Sequence, residues 1–167
     1  QNCTSLTTAP ALPATTLAAS CYNNMFSGCR SLTTTPELPA TTLANYCYVS
    51  MFQNCTSLTT APALPATTLA ARCYDGMFRN CARLVTVPAL PATTLATYCY
   101  NNMFQNCGKI KISTTNVGSY NNTYRVPFAG TGIVGTNSLA DMFTGTGGTF
   151  KGTPTINTTY YTENTVV

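Results

Sequence analysis

The sequence contains no histidine and no tryptophan, and only 7% of its 167 residues are charged. An average soluble domain has about 25% charged residues, so Thr, Ser, Asn and Tyr must keep this chain in solution. Histidine is the usual general base near neutral pH and a common metal ligand. The spacing of the four carboxylates supports no paired-acid site. We therefore predict that the protein is not an enzyme and holds no cofactor and no metal.

Long apolar runs and runs of like charge are also missing. No apolar stretch is long enough to span a bilayer, and the net charge of +4 is spread along the chain. Nothing resembles the basic run that favours nucleic acid or an anionic membrane. We predict no membrane span and no nucleic-acid partner.

An internal repeat dominates what is present. The stretch LTTAPALPATTLAASCYNNMFSGC, residues 6–29, recurs almost unchanged three more times. Two series of cysteines keep a step of 26 residues, since 29 − 3 = 26: Cys3, Cys29, Cys55, Cys81 and Cys107 form one, and Cys21, Cys47, Cys73 and Cys99 the other. A fixed period between about 20 and 50 residues predicts stacked supersecondary units.

Each unit has the pattern of a short strand followed by a helix. Prolines limit the strand to about Leu6–Ala9, and Thr15 and Thr16 are good N-cap residues. Gly28, or Asn in the other copies, suits the left-handed residue that closes a helix. Between them, apolar residues lie at i, i+1, i+4, i+5, i+8 and i+9, the spacing of one helix face: Leu17, Ala18, Cys21, Tyr22, Met25 and Phe26.

The sequence therefore predicts an α/β solenoid of 26-residue strand–turn–helix coils with a β-rich C-terminal cap. Residues 1–106 form four coils, residues 107–145 a degenerate fifth coil with an insertion, and residues 146–167 a capping segment. The insertion follows from the Met-Phe pairs, because the last step is 142 − 103 = 39, one period plus 13. The first residues match the middle of a repeat, so we also expect further coils or a cap to precede them.

The nine cysteines leave two interpretations open. Cys21 and Cys29 pair within each coil in an oxidising setting, or both columns are small buried apolar side chains, as free cysteine often is. We favour the second interpretation. Neither supplies a zinc site, because no C-x-x-C pair occurs.

The segments MFSGCRSL (25–32) and MFQNCTSL (51–58) resemble the BspA-like leucine-rich repeats of bacterial surface proteins. The resemblance covers residues 3–107 well and residues 107–145 weakly. The chain departs from the family by placing proline where a β-forming residue is more usual, at Pro10, Pro36, Pro62 and Pro88. The resemblance implies a leucine-rich-repeat solenoid on a cell surface or a virion, used for adhesion or recognition and without catalytic residues.

Variation among the copies indicates where a partner binds. The copies differ mainly in three columns on the polar side of the predicted helix, where packing does not dictate identity. Tyrosine and arginine are favoured in protein interfaces. The candidate contact residues are Tyr46, Arg72 and Tyr98, with Asn45, Asp75 and Asn101 beside them.

Two functions from different classes remain. The first is an extracellular adhesion or recognition module, on a bacterial surface or a virion, that binds a host or bacterial surface protein or glycan. The second is a structural subunit of a phage fibre or extracellular filament that assembles by end-to-end stacking into a homo-oligomer. An ice-binding face built from the regular threonine rows is a distant third.

Overall fold

In the computed structural model, which describes residues 1–126 and 135–167, the repeats are built from turns. No α-helix occurs in these ranges, and the strands are β1 Ile112–Ser113, β2 Asn122–Arg125 and β3 Thr159–Thr162. The prediction of an α/β solenoid of leucine-rich-repeat type, with a helix in each coil, is therefore wrong. The short strand expected near Leu6–Ala9 is reduced to an isolated parallel bridge between Thr8 and Thr34.

The predicted helix is replaced by a ribbon of consecutive turns. In residues 20–28, N–H groups at odd positions donate to the carbonyl three residues earlier, as Met25 does to Tyr22 at 3.2 Å. N–H groups at even positions donate instead to the next repeat, as Tyr22 does to Cys47 at 3.0 Å. An α-helix would direct all of these donors along its own axis. In the ribbon, half of the N–H groups form hydrogen bonds within the ribbon and the other half form hydrogen bonds to the next repeat.

A left-handed residue at every fourth position explains the turns. In the first repeat these residues are Ser20, Asn24 and Gly28, with φ of 59°, 55° and 75°. Left-handed residues end an α-helix, so three of them in nine positions prevent one. The apolar pairs Cys21-Tyr22 and Met25-Phe26 thus follow a period of four. A helix would rotate successive pairs by about 40°, whereas the ribbon keeps them on one face.

Successive repeats lie side by side and share one core. Equivalent phenylalanine rings stack at 5.7 to 5.9 Å along the whole series, and equivalent tyrosine rings stack at 5.7 Å. Offset stacking of this kind contributes about 0.5–1.5 kcal/mol per pair beyond the buried area. The stacked phenylalanines are Phe26, Phe52, Phe78, Phe104 and Phe143, and the stacked tyrosines are Tyr22, Tyr48, Tyr74 and Tyr100.

One antiparallel sheet lies at the C-terminal end of the stack, with strand order β1-β3-β2. Tyr124 of β2 pairs with Tyr160 of β3, and Ile112 of β1 pairs with Thr162 of β3. Strand β3 lies in the predicted capping segment 146–167, while β1 and β2 lie in the predicted degenerate coil 107–145. Part of that coil, residues 127–134, lies outside the described residues.

All nine cysteines are free. Seven are buried and only Cys3 and Cys21 are exposed, so the interpretation as free thiols in the core is confirmed for most of both columns. In one column Cys55, Cys81 and Cys107 each donate a hydrogen bond to a phenylalanine carbonyl 29 residues earlier, as Cys81 does to Phe52 at 3.0 Å. The same carbonyl also accepts the backbone N–H of the cysteine three residues after it, as Phe52 does from Cys55 at 3.1 Å, so the thiol adds a second bond between repeats.

Within the described ranges, no helix has the length and apolar character needed to cross a membrane.

Candidate functional site

The first left-handed position of each repeat forms an exposed row along the stack, which we call the corner column. Its members in the middle of the stack are Tyr46, Arg72 and Tyr98, with φ of 60°, 54° and 55°. Bulky residues are uncommon in this region of backbone space, where Gly, Asn and Asp are favoured. The other two left-handed columns follow that preference and contain only Asn, Ser, Gly and Asp. The corner column alone places large side chains on strained backbone.

Arg72 is held in place from two sides. Its Nη1 donates to Oδ2 of Asp75 at 2.6 Å, in an ion pair between residues three apart. The centre of its guanidinium lies 4.0 Å from the centroid of the Tyr98 ring, in a cation–π contact. Such a contact contributes about 0.5–1 kcal/mol at an exposed site. The side chain of Arg72 remains 38% exposed, so a fixed guanidinium faces solvent.

Neighbouring amides complete this arrangement. Asn101 donates from Nδ2 to the second carboxylate oxygen of Asp75 at 2.9 Å. Asn137 donates from Nδ2 to the Tyr98 hydroxyl at 2.9 Å. Asp75 is buried and fully engaged, and it therefore serves to position Arg72 rather than to meet a ligand. Of the predicted contact residues, the structure brings Arg72, Asp75, Tyr98 and Asn101 into one cluster, in which hydrogen bonds join Arg72, Asp75 and Asn101 and the cation–π contact adds Tyr98.

Tyr46 and Asn45 lie one repeat closer to the N-terminus. Tyr46 is 43% exposed, the most exposed of the aromatic side chains in the repeats. The Asn45 side chain accepts a hydrogen bond from the Ala71 N–H at 3.1 Å, so it joins two repeats. Tyr46 therefore extends the exposed surface, and Asn45, which is also exposed, links its repeat to the next.

No family model, curated protein or solved structure shows significant similarity to the chain. The resemblance to BspA-like repeats stays a prediction.

The buried thiols and phenols lie where they cannot react readily. Burial raises the pKa of Cys47 and of Cys55 to about 12, and it raises the pKa of Cys73 and Cys81 well above the usual value. A nucleophilic thiol needs the opposite shift. In residues 1–126 and 135–167, no group of three His, Cys, Asp or Glu side chains is placed to hold a metal.

The stacked tyrosines in the middle of the stack are deeply buried. Tyr48, Tyr74 and Tyr100 are at most 1% exposed. Burial raises the pKa of all three phenols. They belong to the core, and the exposed aromatic surface is left to the corner column.

Shallow apolar grooves run between the proline rows on another side of the stack. One groove of about 290 Å³ is lined by Pro36, Pro39, Pro62 and Pro65 with Glu37. Its lining has no fixed hydrogen-bond donor comparable to Arg72. The corner column is therefore the better candidate, because it combines the exposed Tyr46 ring and the partly exposed Tyr98 ring with an oriented polar group.

Asn137 is the member of the site that the sequence analysis missed. It lies 39 residues after Tyr98, the same step that separates the last two Met-Phe pairs, since 142 − 103 = 39. Extending the corner column by that step would have identified it. There was no comparable indication in the sequence of the left-handed backbone at the corner column, because tyrosine and arginine are not typical of left-handed positions.

Proposed function

We propose that the protein is a non-enzymatic recognition module, located on a bacterial surface or a virion, that binds a protein or glycan partner through the corner column. The observation that carries the proposal is the presence of Tyr46, Arg72 and Tyr98 at left-handed positions. Backbone strain of this kind costs about 1–3 kcal/mol per residue and concentrates at functional sites. Asn or Gly would fold here at lower cost.

The geometry suits recognition more than chemistry. Tyrosine offers a large, stiff contact area with a polar tip, and arginine is enriched among the residues that dominate binding energy. Because Arg72 is already paired with Asp75 and stacked on Tyr98, little side-chain entropy remains to be lost on binding. Its charge is also balanced locally, so the partner need not be anionic.

The alternative of a filament that grows by end-to-end stacking has less support. Such growth needs two complementary ends, whereas here one end of the stack is covered. The Phe143 ring is contacted by Tyr124, Phe150 and Tyr160 at centroid distances of 6.1 to 6.4 Å. A next repeat would have to displace these side chains.

The test is a binding screen with immobilised glycans and surface-protein extracts, using the full chain and a triple variant. The variant carries Tyr46→Asn, Arg72→Gly and Tyr98→Asn, which suit the left-handed backbone and keep the fold. We expect any ligand found to lose at least tenfold in affinity in the variant. A second variant, Glu37→Gln, alters the proline grooves instead and should bind as the parent does. Equal binding by the triple variant, or a loss confined to Glu37→Gln, would remove the proposal.

A further inference from the structure

A single carboxylate lies among the proline rows on one side of the stack. Each of the four repeats has two prolines three residues apart, and the residue after the first proline is alanine in three copies: Ala11, Ala63 and Ala89. The second copy has Glu37 at this position, and its side chain is exposed. Because alanine occupies the position in the other copies, the fold does not require a carboxylate there.

Glu37 also differs from the other acidic side chains in having no partner. The other three carboxylates, Asp75, Asp141 and Glu163, each accept a hydrogen bond from a neighbouring side chain, and two of them form ion pairs. Glu37 forms neither with any residue in 1–126 or 135–167. In a chain with only four such groups and a net charge of +4, this carboxylate is left available to a cation from outside.

Shallow apolar grooves lie on both sides of this carboxylate. The groove of about 290 Å³ lies between the second and third repeats, and another of about 450 Å³ lies between the first and second repeats. Pro36, Glu37 and Pro39 line both grooves. Residues of two successive repeats bound each groove, so both grooves belong to the side of the stack and not to its ends. One negative charge is therefore flanked by apolar surface along the stack.

This arrangement defines the chemistry of an occupant. Glu37 requires a cation at the centre, and the proline, leucine and alanine side chains of the grooves require apolar groups on both sides. The grooves are one repeat apart, and equivalent rings of adjacent repeats lie 5.7 Å from each other. An extended polypeptide advances about 3.1–3.4 Å per residue, so about two residues span one repeat. A peptide thus reaches both grooves, whereas a small organic cation fills only one.

We propose that the surface around Glu37 is a docking site for an extended peptide segment of a partner protein, in which a lysine or arginine lies between apolar residues. The cation pairs with the Glu37 carboxylate, and the apolar residues on either side occupy the two grooves. A proline-rich segment suits this surface, because it is already extended and loses little entropy on binding. The site is separate from the corner column and does not depend on the function proposed there.

Charge exchange between peptide and protein tests the proposal. The probes are three peptides with capped ends that differ only in the central residue, GLPKPLG, GLPQPLG and GLPEPLG. Each is titrated into the isotopically labelled full chain, and NMR gives both the affinity and the residues contacted. Glu37→Gln removes the charge and Glu37→Lys reverses it. Ala63→Glu adds a second carboxylate at the equivalent position of the next repeat.

We expect GLPKPLG to bind the parent chain saturably and to shift the backbone amides of Ala11, Leu38 and Ala63, which line the grooves. Its affinity should fall about threefold to fivefold in Glu37→Gln, the contribution of one exposed ion pair, and should rise in Ala63→Glu. In Glu37→Lys the order should reverse, so that GLPEPLG binds more tightly than GLPKPLG. The triple variant of the corner column should bind GLPKPLG as the parent does.

The absence of saturable shifts at the groove residues, or equal affinity of the three peptides for the parent, would overturn the proposal. An unchanged order of affinities in Glu37→Lys would do the same. Binding of tetramethylammonium as tight as that of GLPKPLG would show that a small cation is the ligand, and would also overturn it. Loss of GLPKPLG binding in the triple variant would place the peptide at the corner column and contradict a separate site.

Discussion

At the scale of single residues, the left-handed positions of the repeats differ in how much backbone strain their residues carry. Left-handed backbone is supplied by Asn, Gly, Ser or Asp in two columns, and by Tyr or Arg at the three middle positions of the corner column. An L-residue with a bulky side chain loses about 1–2 kcal/mol in this conformation. Asn loses less, because its short polar side chain bonds locally. The corner column therefore lowers stability in exchange for exposed side chains.

Replacing Tyr46 by Asn should stabilise the protein by about 0.5–1 kcal/mol. Tyr46 is 43% exposed and has φ of 60°, so little packing is lost and backbone strain is relieved. Denaturant unfolding with a constant m-value measures the change. Val85→Asn is the matched control, because Val85 is 40% exposed and is not at a left-handed position. A loss of stability in Tyr46→Asn, or an equal gain in the control, would contradict the argument.

At the scale of the element, the turn ribbon shows what the sequence could and could not predict. The 26-residue period and the burial of cysteine, methionine and phenylalanine columns were predictable from the repeats alone. The conformation was not, because apolar pairs at i, i+1, i+4 and i+5 fit both a helix face and a four-residue turn. The left-handed positions at the corner column could not be recognised, because they are occupied by Tyr46, Arg72 and Tyr98 and not by Gly or Asn. In the site, exposure at Tyr46 followed from variation among copies, whereas the Arg72–Asp75–Asn101 cluster depended on a register that only the ribbon sets.

Asparagines that follow the phenylalanines make a ladder along the ribbon. Asn80 donates from Nδ2 to the Asn54 side-chain oxygen at 2.8 Å and accepts from Asn106 Nδ2 at 2.9 Å. Its φ is 62°, so the same residue supplies both a turn and two bonds between repeats. Asn80→Gly should keep the turn and lose the bonds, at a cost of about 1 kcal/mol.

Asn80→Ala should lose about 1 kcal/mol more than Asn80→Gly, because alanine also carries the strain of left-handed backbone. Comparing the two variants separates the contribution of the Asn80 hydrogen bonds to stability from the cost of left-handed backbone strain. Thermal unfolding of both variants measures the difference. Equal Tm values for the two variants would show that the backbone relaxes at this position, and the ribbon would then not be fixed by its left-handed residues.

At the scale of the whole molecule, the two ends of the stack differ. The interior between them contains many cysteine thiols and tyrosine phenols that stay protonated. The sheet and residues 165–167 cover the C-terminal end, where the Val87 N–H donates to the Thr165 carbonyl at 3.0 Å. At the N-terminal end, the carbonyls of residues 19, 21 and 23 accept no hydrogen bond from a described residue. Between them lie columns of thiols and phenols whose pKa burial raises, including Cys99 and Cys107, each to about 12. The core therefore depends on these groups staying protonated.

Stability should fall steeply above about pH 8.5, the ordinary pKa of a cysteine thiol. The unfolded chain releases thiol protons there, whereas the folded chain retains them until about pH 12 in the case of Cys47. Because the unfolded state then binds fewer protons, the free energy of unfolding decreases with rising pH, by about 1.4 kcal/mol per pH unit for each such thiol. Stability is unaffected by these groups below pH 8.

Six thiols carry a raised pKa, namely Cys47, Cys55, Cys73, Cys81, Cys99 and Cys107. Their combined effect over about two pH units is comparable with the 5–15 kcal/mol stability of a typical domain. Urea unfolding under reducing conditions from pH 7 to pH 10.5 should therefore show a midpoint that is flat at first and then drops. Cys81→Ala removes one titrating group and should lessen the slope by about one sixth, whatever its own cost at pH 7. A midpoint that stays level to pH 10.5 would mean that the thiols meet solvent in the folded state, contrary to the stacked core.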